Sequence, residues 1–340
     1  MQFGRGKPSA GAFYDSDFAT IDELLGIGLL NGMQGKNDCR VAIVTMSRPN
    51  LAVTGYIDAV ERYYRGPAGN FAQVPPIGMR TAGQAGETSP AFTAAFEKNA
   101  KLVNHVKSVI DTGDPNTLFR NYLEAQYNQN GFFILAGPAT NLAAALEFRG
   151  MKDLIAAKIK YLVAALPERN IKADAAAAKK VLADWPTPVY VVGEETGDAI
   201  QFPGASIDKE FAAASPENPF GEAYKAYKPM PYDAPTWALA AALYAGRPKE
   251  GSFKVSEPGT VTVRDDGKLG FAASAQGRHQ TLTLDPAQKE KVLQAYIDLA
   301  SAKPVFPQRF RPPVAADAKK AADEKADPAK PKIVVPADQP

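Results

Sequence analysis

An α/β fold built on a mainly parallel sheet, with helices on both faces, is predicted by three observations. Strand-like apolar runs alternate with helical patterns over most of the chain. The 340 residues are 45% hydrophobic and 22% charged, enough apolar material for a large core and incompatible with disorder throughout. From 252 to 284 the pattern changes to short β segments around an Asp266-Gly267 turn, which predicts a small antiparallel addition.

The elements follow in order. A first strand over 12–17 leads into a helix over 20–31, where Ile21, Leu24, Leu25 and Leu29 recur at helical spacing. CRVAIVTMS (39–47) is the second strand and 51–64 the next helix. QVPPIGM (73–79) is a third strand, followed by helices over 90–111 and 117–128. GFFILAG (131–137) is the fourth strand and precedes a short helix over 142–148. KYLVAAL (160–166) and VYVVGE (189–194) are the fifth and sixth strands, with a helix over 174–185 between them. After the β addition, a helix over 286–301 closes a domain spanning 1–313. Prolines recur from Pro304 onward around AADAKKAADEKADPAK, a composition that cannot bury a core, so 314–340 is expected to be a disordered tail.

Composition also excludes functions. With 39 basic and 37 acidic residues the net charge is +2, so no global field attracts nucleic acid or an anionic membrane. The apolar stretch 234–246 is shorter than the roughly 20 residues that span a bilayer. A single cysteine, Cys39, rules out an internal disulfide and a cysteine-rich zinc site. No export signal is read at the N-terminus, where Asp15 and Asp17 interrupt any apolar stretch. The chain as it stands is expected in the cytoplasm, and outside it if a precursor carried a signal. Self-association into a homo-oligomer is left open.

The densest chemistry lies in FYDSDFATIDELLGIGLL (13–30), where Asp15, Asp17, Asp22 and Glu23 fall close together at a strand end and helix start. Like charges at close range raise each other's pKa, so a positive partner is expected among them. Oxygen donors suit a hard cation such as Ca²⁺ or Mg²⁺. The alternative is that Asp22 and Glu23 favour the helix dipole while Asp15 and Asp17 are turn residues.

This segment resembles the amino-terminal motif of the inosine-uridine-preferring nucleoside hydrolases, an Asp-x-Asp pair followed by a double Asp opening a helix. AGPATNLAAAL (136–146) resembles that family's Gly-Pro-Leu-Thr-Asn stretch. LPERNIKADAAAAKKVL (166–182) resembles its Glu-Phe-Asn-Ile segment, and PYDAPTWALAAALYAGRP (231–248) its late segment opening with His-Asp-Pro. The resemblance covers about 13–284 and implies a nucleoside-hydrolase-like fold, a Ca²⁺ cofactor and a small-molecule riboside whose N-glycosidic bond is hydrolysed. It implies that Asp17 bridges Ca²⁺ and the attacking water as general base, with Glu23, Asp233 and the Ala136 carbonyl as further ligands. Asp22, Asn50, Glu168, Asn170 and Asp233 would contact substrate. Carboxylates around a sugar suit the oxocarbenium-like transition state of such a cleavage.

Departures from the family pattern accompany the matches. Glu23 replaces an Asp, one extra residue separates Asp17 from Asp22, and Tyr232 stands where the family has its leaving-group His. The loop before Glu168 lacks the family's glycine pair and extra Asn. A phenol with a pKa near 10 is a poor acid at neutral pH. A non-catalytic ribose- or metal-binding member of the same fold is the alternative reading. Of the two histidines, His105 reads as a helix-surface or packed residue and His279 as a group that could reach the site mouth. The glycines of GIGLLNG lie within a helical run, so they read as close-packing positions and not as a dinucleotide loop. Tyr56, Tyr63, Tyr64 and Trp237 read as core more readily than as base contacts.

Overall fold

The computed structural model describes residues 9–65, 74–83, 102–214 and 218–305. Its centre is a ten-stranded sheet. Six parallel strands come first: β1 (Ala10–Ser16), β2 (Cys39–Met46), β3 (Ile77–Met79), β4 (Gly131–Leu135), β5 (Ile159–Ala165) and β6 (Val189–Val192). A two-stranded pair, β7 (Gln201–Phe202) and β8 (Ala234–Pro235), stands apart. The last four strands are β9 (Phe253–Val255), β10 (Gly259–Val263), β11 (Leu269–Ala273) and β12 (His279–Leu284).

The predicted β addition is present and joins the main sheet. β12 runs parallel to β6 and extends the main sheet, while β9 and β10 pair antiparallel along its far edge. The Asp266-Gly267 turn closes the β10–β11 hairpin with Gly267 at φ 81°, a value glycine adopts without strain.

The helices are α1 (Ile21–Gly35), α2 (Leu51–Arg65), α3 (Pro115–Ala125), α4 (Thr140–Leu146), α5 (Met151–Lys158) and α6 (Glu168–Ala173). They continue with α7 (Ala175–Asp184), α8 (Glu194–Asp198), α9 (Pro219–Tyr227), α10 (Trp237–Gly246) and α11 (Lys289–Ala300). Alternation along the central strands divides the core in two. Tyr14, Phe132, Ile134 and Val163 pack with Leu24, Ile57, Leu239 and Val292 on one face. Phe13, Phe133, Leu135 and Leu162 pack with Phe119, Leu142, Ile155 and Val181 on the other. Burial on both faces explains why these strands read as continuous apolar runs. Within α1, Gly32 packs against α11 so closely that an added Cβ would lie 2.1 Å from the Leu299 carbonyl oxygen.

Several expectations are corrected. Of the strand expected over 73–79, residue 73 lies outside the described residues and 77–79 alone of the rest form a strand, because Pro75 and Pro76 have no amide hydrogen to donate to a ladder. Of the helix expected over 90–111, residues 90–101 lie outside the described residues, and 102–111 hold only a short 3₁₀ turn at Val109–Asp111. The helices α5, α6, α8 and α9 were not anticipated from the sequence. The expected tail, 314–340, lies outside the described residues. Among the described residues no helix is long and apolar enough to cross a membrane.

Candidate active site

The strand order β6-β5-β4-β1-β2-β3 reverses direction at β1, since the chain builds outward to β3 and then returns to place β4 on the other side. In open α/β sheets ligands bind beyond the carboxyl ends of the strands at such a switch point. Here that edge carries Asp15 and Ser16 from β1, Asp17 directly after it, Ser47 and Arg48 after β2, and Ala136 and Gly137 after β4. The turn after β5 adds Glu168, Arg169 and Asn170.

The chain leaves β1 through Phe18, a buried residue at φ 51°. A bulky side chain in the left-handed region costs roughly 1–3 kcal/mol and persists only where its surroundings hold it. Here the Ser16 hydroxyl accepts from the Phe18 amide and donates to Glu23 Oε2 at 2.6 Å. The same bend aims the acids of β1 and α1 at one another.

Asp15 is fully buried, accepts from Thr45 and from Asn141 Nδ2, and leaves Oδ2 without a partner. Burial pushes its carboxyl up to about 7, against the pull of those two donors. Glu23 accepts from the Ser16 hydroxyl, the Ala19 amide, the Thr20 hydroxyl and, at 2.7 Å, Arg169 Nη1. Burial raises its carboxyl above the ordinary range, the neighbouring Asp17 adds to this, and Arg169 opposes it. Asp17 Oδ2 lies 3.4 Å from Arg48 Nε and 3.8 Å from Arg169 Nη2, whereas its Oδ1 is buried without a partner. Gly137 permits this packing, because a Cβ there would sit 2.5 Å from the Asp17 nitrogen and 3.0 Å from Oδ1. The positive partner expected among the acids is therefore a pair of guanidinium groups. Their side chains, 23% and 33% exposed, form the outer surface over acids that are 5% exposed or less.

The other anticipated residues are engaged within the protein. Asp22 accepts from the amides of Ala238 at 2.6 Å and Leu239 at 3.1 Å, so both its oxygens cap the start of α10. Burial pushes its carboxyl up to about 7, with those amides pulling the other way. Asn50 caps α2 through the Val53 amide at 3.2 Å. Glu168 and Asn170 lie in the first turn of α6, which begins directly after Pro167. Glu168 pairs with Lys172 near solvent. Asn170 is buried, donates to the carbonyls of Ala136 (2.7 Å) and Ala165 (3.1 Å), and accepts from Arg169 Nη1 at 2.6 Å. Asp233 is exposed and accepts from the Gly204 amide at 2.9 Å. The Tyr232 hydroxyl donates to the Tyr224 carbonyl at 2.7 Å, which turns it away from the role of leaving-group acid. His279 does not approach this edge. It pairs with Val189 at the amino-terminal end of β6, and its Nδ1 accepts from the Val261 amide.

These donors do not fit the Ca²⁺ that the resemblance implies. Ca²⁺ takes six to eight oxygens, and among the described residues no three acidic, histidine or cysteine side chains converge to hold a metal. Glu23 accepts from the Ser16 and Thr20 hydroxyls, the Ala19 amide and Arg169, Asn170 donates to the Ala136 carbonyl, and Asp233 is bonded to Gly204. Arg48 and Arg169 are the site residues that sequence reasoning passed over. The signal for Arg169 was present: it stands between Glu168 and Asn170, where the resembled Glu-Phe-Asn-Ile segment has Phe. Tyr227, at the end of α9, also flanks the cluster. Burial raises its phenol, and the charge of Glu23 raises it further.

The fold and this geometry can be set beside known proteins. The sequence matches no protein-family model and no curated protein. The structure is similar to a plant nucleoside hydrolase, with TM-score 0.66 and 17% identity over 87% of this chain and 100% of that one. It is similar to an inosine-guanosine nucleoside hydrolase, with TM-score 0.65 and 17% identity over 86% and 99%. It is also similar to the type III effector XopQ in complex with adenosine diphosphate ribose, with TM-score 0.60 and 12% identity over 88% and 94%. The class defined is thus a nucleoside-hydrolase-like α/β fold. At these identities the likeness is one of fold.

Proposed function

We propose that this chain is a riboside-binding protein on a nucleoside-hydrolase-like fold, holding its ligand at the switch-point edge of β1 and β4 without cleaving it. The observation that carries this reading is the acid pair Asp17 and Glu23, buried beneath Arg48 and Arg169. A base must reach the proton it removes, directly or through one water. Asp17 offers one oxygen to arginines and buries the other. The residues that would supply the remaining steps are occupied: Asp22 caps a helix, the Asn170 amide is bonded to main-chain carbonyls, and the Tyr232 hydroxyl faces Tyr224. What the edge presents outward is a pair of guanidinium forks, suited to donate to hydroxyl or phosphate oxygens, with the Tyr227 ring beside them.

A second reading, hydrolysis of the N-glycosidic bond with Asp17 as base, is favoured by one specific observation, the unpartnered Oδ1 of Asp17. The two are separated by titrating ribose, inosine and adenosine diphosphate ribose calorimetrically and assaying the same mixtures for released reducing sugar. Saturable binding without sugar release supports the binding reading. Release that Asp17→Asn abolishes establishes the hydrolase instead, and neither binding nor release refutes both.

A further inference from the structure

We propose that Arg169, assisted by Arg48, is the resident cation of this site: its guanidinium faces both Glu23 and Asp17, the acids a divalent ion would need, and the protein accordingly takes up no Ca²⁺ there. The inference concerns the cluster itself and holds whichever reading of the riboside is correct.

Three features carry it. Arg169 contacts both acids, with Nη1 2.7 Å from Glu23 Oε1 and Nη2 3.8 Å from Asp17 Oδ2. The two guanidinium groups offset the charge of Asp17 and Glu23, so an added divalent ion would have to compete with cations already in contact with its would-be ligands. The same Arg169 Nη1 also donates to Asn170 Oδ1 at 2.6 Å. That bond orients the amide so that Nδ2 faces the Ala136 carbonyl. One side chain therefore occupies the cation's place and, through Asn170, engages the main-chain oxygen that would complete a shell.

The cluster still holds two carboxylate oxygens without partners, Asp17 Oδ1 and Asp15 Oδ2, both buried. Removing the guanidinium would add freed oxygens of Glu23 and Asp17 to that set. A site of that kind binds hard cations weakly, with Kd of about 0.1–1 mM, the range of the loosest protein Ca²⁺ sites.

The test is calorimetric titration of the full chain with CaCl₂, supported by the shift of its melting temperature with Ca²⁺. Wild type and Arg169→Lys, which keeps the positive charge, are expected to show no saturable binding and no shift. Arg169→Met and Arg48→Met/Arg169→Met are expected to gain a single saturable site and a Ca²⁺-dependent rise in melting temperature. One-to-one Ca²⁺ binding by wild type would overturn the inference, as would folded Met variants that remain blind to Ca²⁺. Should the Met variants fail to fold, Arg169→Gln replaces them and is judged by the same gain. A riboside result of either kind leaves this outcome untouched, so the two proposals fail separately.

Discussion

Arg169 donates from Nη1 to Glu23 Oε1 at 2.7 Å, joining the first turn of α6 to the first turn of α1 across 146 residues of chain. Glu23 is 2% exposed on its side chain and Arg169 33%. The pair is buried on one side and wet on the other. Breaking it by removing the arginine leaves a carboxylate in a low-dielectric setting. Arg169→Ala should therefore cost about 1–3 kcal/mol, below the full penalty for a completely buried pair because water reaches the arginine. Adding Glu23→Gln should recover part of that loss. Chemical denaturation of the two single variants and the double variant measures the coupling, and a coupling near zero would show that the contact contributes nothing.

Asp22 separates a structural from a ligand-binding role. Both its oxygens receive α10 amides, so Asp22→Ala should lower stability by about 1–2 kcal/mol, as for loss of a helix N-cap. The affinity for a riboside, measured on the remaining folded protein, should change little. A large loss of affinity beside an unchanged melting temperature would instead make Asp22 a sugar contact, as the sequence resemblance implies.

Gly137→Ala should act on Asp17 at short range. The new Cβ would press on the Asp17 nitrogen and Oδ1, displacing the carboxylate from Arg48. Weakened riboside binding and a melting temperature lowered by a few degrees are expected, roughly 1–3 kcal/mol for overpacking. Wild-type behaviour in both would mean that the approach of β4 to β1 tolerates a methyl group.

Cys39 provides a test of the core. Burial pushes its thiol up to about 12, so almost no thiolate is present at neutral pH. Labelling by a thiol reagent should be slow in the native protein and fast in denaturant. Rapid native labelling would contradict the burial of the β2 start beneath α1.

The parallel sheet, the longer helices α1 and α2 and the closing α11 were legible because each is written locally, in runs such as GFFIL and in apolar residues at helical spacing. The acid-rich segment was legible too, including its need for positive charge. The identity of that charge was not. Arg169 meets Glu23 only through the sheet order, and no local period carries that information. The helix at Glu168–Ala173 was not legible because six residues after Pro167 are too few to display a helical period. The incorporation of 252–284 into the main sheet was hidden for a related reason, since a strand's sequence does not say whether its neighbour runs parallel.

The most direct test of the central claim, that the buried acid pair has been withdrawn from catalysis, is the release of nitrophenol from a nitrophenyl riboside. That aglycone departs without protonation, so the substrate asks only for an accessible base and needs no leaving-group acid. Wild-type protein should release nitrophenol no faster than buffer, with or without added Ca²⁺, and Asp17→Asn should match it. Release well above background in wild type, lost in Asp17→Asn, would contradict the account and restore Asp17 as a working base.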